Sequence, residues 1–162
     1  MTERGAAVGR GLELVTAAAD LPAYARTLPR EAQQARTARL LVTMALRAWG
    51  LGGLDDDARL VMTELVSNAV VHARRGLVRV TVTRVTARRV RVAVVDFSAE
   101  QPSPQSSGED IESGRGLAIV EALSGQWGVD PLPWGKRVWA ELEAFGAPAE
   151  EPAPLDGRRG TA

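Results

Sequence analysis

Glu64, Asn68 and His72 lie four residues apart in the stretch ELVSNAVVHA, and His72 is the chain's only histidine. On a helix that turns about 100° per residue the three fall in one narrow sector. Val61 and Leu65 lie in or beside that sector, and Met62, Val66 and Val70 occupy the opposite arc. Such a helix is apolar nearly all round, so its polar stripe faces something partly closed off. A buried carboxylate is costly unless it is paired, holds a cation or takes part in a reaction. One reading is a stripe hydrogen-bonded within itself. The other is a site. A Glu and an Asn one turn apart suit hydrated Mg²⁺, which keeps most of its waters and takes one or two protein oxygens besides phosphates. The carboxylate beside it can act as base toward a hydroxyl or a water. His72 reads first as a hydrogen-bonded boundary residue. A His–Glu–Asn metal triad lacks any further soft ligand to support it.

Two more features carry chemistry. In VAVVDFS, Asp96 follows an apolar strand directly. A carboxylate at a strand end can accept a hydrogen bond from an exocyclic amino group such as adenine N6, or it can bond its own backbone in a turn. In SGRGLAIV, Gly114 and Gly116 stand at the expected entry of a helix. Glycine lets a ligand approach the backbone, and a helix N-terminus offers free N–H groups to phosphate oxygens. Arg115 between them adds positive charge. The run is neither a Walker A sequence nor a G-x-G-x-x-G following a strand, and a plain helix-entry turn explains it as well.

The elements that must position these residues follow from periodicity. From Pro29 to Trp49, Ala35, Ala38, Leu41, Val42, Ala45, Leu46 and Trp49 recur at helical spacing, and GLGG ends the run. LDDDARL opens a second helix with acids in its first turn, where they suit the dipole, and the helix runs to about Arg75. LVRVTVTRV and VRVAVVDF alternate as two strands joined by a short link, which predicts an antiparallel hairpin. LELVT gives a short early strand. Residues 99–113, rich in Ser and Pro, read as a flexible loop. A third helix begins at GRGLAIVEALSGQW, and short strands near Trp127–Val129 and at RVWAELE follow. The fold class expected is α+β: a two-layer sandwich in which a mixed, mostly antiparallel sheet is covered by three helices on one face. Residues 1–10 are expected to be loose, 11–145 to form the domain, and 146–162 to be a disordered tail.

Composition limits the functions. The 162 residues carry 20 Lys+Arg against 20 Asp+Glu and no Cys. A neutral chain gives no electrostatic reason to expect direct nucleic-acid or lipid binding. Disulfides, zinc-thiolate sites and thiol catalysis are excluded. No apolar run is long enough to span a bilayer, and the first residues lack a signal peptide's apolar core. A cytoplasmic location is the simplest expectation.

Taken in order, Glu-x-x-x-Asn on a helix, a strand-ending Asp, a flexible loop and Gly-x-Gly-Leu resemble the GHKL (Bergerat-fold) ATPase and kinase superfamily. The phrases ELVSNAVVHA, GRGLAIVEALSGQWGV and GKRVWAEL look like those of the single-domain anti-sigma-factor serine/threonine kinases and the small ATP-binding regulators of actinobacteria. The resemblance spans about residues 29–143. It implies ATP and Mg²⁺ as cofactors, Asn68 as the Mg²⁺ ligand, Glu64 as the general base and Asp96 as the adenine reader. By the same resemblance Gly114, Arg115, Gly116 and Leu117 contact phosphate, residues 99–113 form a lid, and His72, Ser98 and Lys136 join the ATP-binding set.

The chain departs from the family's pattern in places. Ser98 and Glu100 stand where the family's adenine motif often has glycines, and Arg137 stands where a Thr is common. The function this implies is transfer of the ATP γ-phosphate to a Ser or Thr of an antagonist protein, with sequestration of a partner. A sigma factor and a STAS-type anti-anti-sigma protein are the expected partners, and a homodimer the expected assembly. The alternative is a nucleotide-dependent binding module without turnover. A histidine kinase is disfavoured because no phosphoacceptor helix pair is seen ahead of the domain. A gyrase-like ATPase is disfavoured because no transducer domain follows.

Overall fold

The computed structural model describes residues 13–16, 21–72, 76–97, 110–133 and 135–145. Its strands are β1 (Glu13–Thr16), β2 (Pro22–Pro29), β3 (Leu77–Arg84), β4 (Arg89–Asp96), β5 (Gln126–Leu132) and β6 (Gly135–Glu143). Its helices are α1 (Gln34–Ala48), α2 (Asp55–His72) and α3 (Asp110–Leu123).

α1 forms where the apolar spacing predicts. Ala35, Ala38, Leu41, Val42, Ala45 and Leu46 are all buried. Its end is a Schellman motif. Gly50 takes φ +69°, its N–H donates to the Arg47 carbonyl, and the Leu51 N–H donates to the Leu46 carbonyl. Leu46 and Leu51, both buried, supply the apolar contact that accompanies this cap. The start of α1 falls later than expected. Residues 22–29 are strand β2, which the sequence reading leaves unassigned. Two small alanines and a proline at each end disguise it, since Ala and Pro are poor strand formers. Both prolines sit at strand termini, where a missing N–H does least harm.

The six strands form one sheet in the order β1-β2-β3-β4-β6-β5, and all five pairings are antiparallel. The expectation of a mixed sheet is therefore corrected. Two helices between β2 and β3 return the chain to the end it left, which sets those neighbours antiparallel. The single helix between β4 and β5 does make these two strands parallel, but β6 lies between them. The β3–β4 hairpin forms as expected, with Val85 and Thr86 N–H groups donating to the Arg89 carbonyl.

On the inner face of the sheet Val78, Val80, Val82, Val90, Val92, Val94, Val138, Ala140 and Leu142 are buried. α1 packs over β2 and β3, α2 over β4 and β6, and α3 against α2 and β5. The outer face is polar. Arg91 there lies 4.3 Å from the centroid of the Trp139 ring and donates through Nε and Nη2 to Glu141. Among the described residues no helix is long and apolar enough to cross a membrane. The loose N-terminus, the tail and most of the proposed lid lie outside the described residues.

Two leucines of α2 test this packing. Leu65 is 1% exposed and Leu60 44%. Leu65→Ala is expected to lower unfolding free energy by about 2–5 kcal/mol in urea titrations. Leu60→Ala should change it by no more than about 0.5 kcal/mol.

Candidate functional site

The antiparallel register lines up Leu28, Val78, Asp96 and Lys136 in one row across four strands. Alternation places the row on the helix-facing side, at the end of the sheet where β2 and β4 finish and α2 ends. In this row, beside the apolar Leu28 and Val78, Asp96 is a carboxylate only 2% exposed. The reason lies in the residue after β2. Arg30 donates from Nη2 to Asp96 Oδ1 at 2.9 Å, and its own side chain is also 2% exposed.

Arg30 starts two strands away. Adjacent strands lie about 4.8 Å apart, so its side chain crosses roughly 10 Å of sheet end, over the start of β3. Two local features permit that. The Arg30 N–H donates to the Gly76 carbonyl at 3.1 Å, which fixes where the side chain departs. Gly76, at φ +113°, carries no Cβ, and one added there would meet Arg30 Nη2 at 3.3 Å. Lys136, half-buried, is the cross-strand partner of Asp96 on the other side, so a cation stands on each side of the carboxylate. Behind it the backbones are in close contact, since a Cβ on Gly135 would overlap the Asp96 carbonyl oxygen.

α2 supplies the second part. Val61, Met62, Leu65 and Val66 are buried on one flank of the polar stripe and Leu60, Ser67 and Val71 are exposed on the other, while Glu64 and Asn68 between them are half-buried. A stripe hydrogen-bonded within itself does not form, for no described residue pairs with the Glu64 carboxylate or the Asn68 amide. The Glu64 side chain lies against Gly116 of α3, where an added Cβ would come within 2.7 Å of Glu64 Oε2. A side chain at 116 would therefore displace the Glu64 carboxylate from its present position. Among the described residues no three His, Cys, Asp or Glu side chains gather to hold a metal.

The expectation that Gly114 and Gly116 open α3 is corrected. The helix starts at Asp110, so Gly114, Arg115, Gly116 and Leu117 lie within it. A glycine inside a helix costs only about 1 kcal/mol. The main-chain N–H groups of 114–117 are therefore used in the helix ladder. His72 is the last residue of α2. Ser98 lies outside the described residues.

The structure thus places Glu64 and Gly116 at one helix–helix contact, with Asn68 one turn further along α2, and Asp96 and Lys136 side by side at the sheet end. Arg30, the ion-pair partner of Asp96, is the residue of the candidate site that sequence reasoning missed. It looks like part of a helix start, and only the strand before it reveals which way it points.

Residues 28–141 match the histidine kinase-like ATPase domain family. A relative, an uncharacterized protein of Streptomyces coelicolor, is 36% identical over 103 residues, which cover 60% of this chain and 90% of that protein.

The ion pair itself is testable. Removing one partner of a buried pair leaves an uncompensated charge, so Arg30→Met is expected to cost about 3–5 kcal/mol of stability in denaturant unfolding. Adding Asp96→Leu to that variant should recover most of the loss. A single variant as stable as the parent would show that the pair is not holding the sheet end.

Proposed function

The chain belongs to the histidine kinase-like ATPase domain family, and on that premise we propose an ATP-binding regulator that transfers the γ-phosphate to a serine or threonine of an antagonist protein. The observation that carries the reading is the Glu64–Asn68 pair. It is half-buried, unpaired by any described residue, and set where the buried face of α2 meets its exposed one, with the Glu64 carboxylate against Gly116 of α3. Nothing in the packing requires a carboxylate there.

Asn68 would hold Mg²⁺ through its amide oxygen, with phosphate oxygens and water completing the shell. When bound, the ion neutralises charge on the phosphates. Glu64 accepts the hydroxyl proton of the substrate residue. The hydroxyl oxygen bonds to the γ-phosphorus, the bond from that phosphorus to the β–γ bridging oxygen breaks, and ADP leaves. Asp96 accepts from the adenine amino group. Lys136, beside it, offers positive charge to the nucleotide. The role of Gly114 to Leu117 toward phosphate rests on the family resemblance alone, because their N–H groups belong to the α3 ladder. The partners proposed are a sigma factor and a STAS-type antagonist, and the assembly a homodimer.

A second reading is a nucleotide-dependent binding module without turnover. It keeps the same nucleotide contacts and differs only in that Glu64 takes no proton and no phosphate is transferred.

Two measurements separate the readings. Mg·ATP should bind more tightly than Mg·GTP in calorimetric titration, because guanine turns a carbonyl toward the Asp96 carboxylate where adenine turns an amino group. Equal affinities would remove Asp96 from the base site. In the second, Glu64→Gln keeps shape but not basicity, so it should bind Mg·ATP nearly as the parent does. Transfer of labelled phosphate to a partner recovered by pull-down should fall by about 100- to 10,000-fold. Asn68→Ala should lose both binding and transfer. A parent protein that binds partners and nucleotide yet phosphorylates none is the binding module.

A further inference from the structure

Arg30 has more hydrogen-bonding capacity than the fold uses. Its side chain is 2% exposed, and Nη2 is bonded to Asp96. Nε and Nη1 are shut off from solvent with no partner. Each such unpaired donor weighs against folding, and native proteins carry few of them without a functional reason. The guanidinium is planar and rigid. Once Nη2 is fixed on Asp96, the directions of the other donors are fixed as well. A carboxylate accepts up to about four hydrogen bonds, so bonding Arg30 and bonding a ligand amino group are compatible.

We propose that Arg30 reads the base alongside Asp96, donating to ring nitrogen N1 of adenine while Asp96 accepts from the N6 amino group. This rests on the nucleotide-binding reading above and adds a second specificity-determining residue to it. Adenine presents a donor at position 6 directly beside an acceptor at position 1. An acceptor and a donor locked together by a 2.9 Å ion pair form the complement of that edge. Guanine in the same register presents an acceptor at position 6 and a donor at position 1, mismatched at both. Lys136 does not do this job equally well, because an ammonium on a flexible stem acts as a point charge and imposes little direction. Gly76 is part of the device, since it leaves the space along which the guanidinium reaches the base site.

The experiment compares Mg·ATP with Mg·1-deaza-ATP, in which N1 is replaced by C–H, by calorimetric titration of the unaltered protein. A hydrogen bond from a charged donor leads us to expect 1-deaza-ATP to bind about 10- to 100-fold more weakly. Arg30→Met, titrated at low temperature where circular dichroism confirms folding, should bind ATP more weakly and treat the two nucleotides alike. Equal affinities in the unaltered protein overturn the proposal, whatever the variant does, and so does a 1-deaza penalty that persists in Arg30→Met. If the unaltered protein binds neither nucleotide at millimolar concentration, the nucleotide reading itself fails and this one with it.

Discussion

Helix α2 must be buried on several sides at once, and the rest of the domain is arranged around that constraint. It packs on α1, on α3 and on the inner sheet face through β4 and β6. Val61, Met62, Leu65, Val66 and Ala69 are buried among these neighbours. The rest of its surface is open, for Asp56, Leu60, Ser67 and Val71 are exposed. Glu64 and Asn68 occupy the half-buried margin between the two faces, with Glu64 against Gly116 of α3. The polarity of that margin is therefore a property of position. The carboxylate stands there against a glycine.

The two halves of the candidate site are built by different means. On the helix side, spacing alone gathers Glu64 and Asn68, since residues four apart share a face. On the sheet side, gathering depends on register. Arg30, Asp96 and Lys136 are brought together because β2, β3, β4 and β6 align with their ends level. A slip of one residue would turn Asp96 to the outer face, away from the helix layer. The valines that alternate along β3 and β4 prevent that slip, so the hydrophobic pattern of the strands also holds the polar site in place.

This difference explains what could be read from the sequence. α1, α2 and the β3–β4 hairpin announce themselves through local periodicity, and so does the Glu64–Asn68 stripe. β2 does not, because its helix-facing residues are Tyr24, Arg26 and Leu28, broken by an arginine, while the buried Ala23 and Ala25 lie on the opposite face. With β2 hidden, Arg30 has no assigned direction, and the Arg30–Asp96 pair, 66 residues apart in sequence, has no local sign. The start of α3 was misjudged for another reason. Two glycines look like a helix boundary, but the acids and isoleucine before them extend the helix by a further turn. Gly116 is then explained by Glu64 across the helix contact, which periodicity along one helix cannot reveal.

The position of the Arg30–Asp96 pair bears on how such a site would bind. An isolated carboxylate must lose water when a ligand arrives, and that loss opposes binding. In this fold Asp96 is dehydrated already, and the attraction to Arg30 offsets the cost during folding. What a base then meets is a set of dipoles and charges that are fixed in place and need little rearrangement. The same arrangement narrows the choice of ligand, because a dry, rigid donor–acceptor pair tolerates mismatch poorly: each unmatched group stays unpaired in a place that water does not reach. Strand register, the missing side chain at Gly76 and the placement of Arg30 after β2 thus act together. They turn the end of a valine-rich sheet into a surface with hydrogen-bonding direction, while the helix layer above it carries the carboxylate and amide suited to phosphate chemistry.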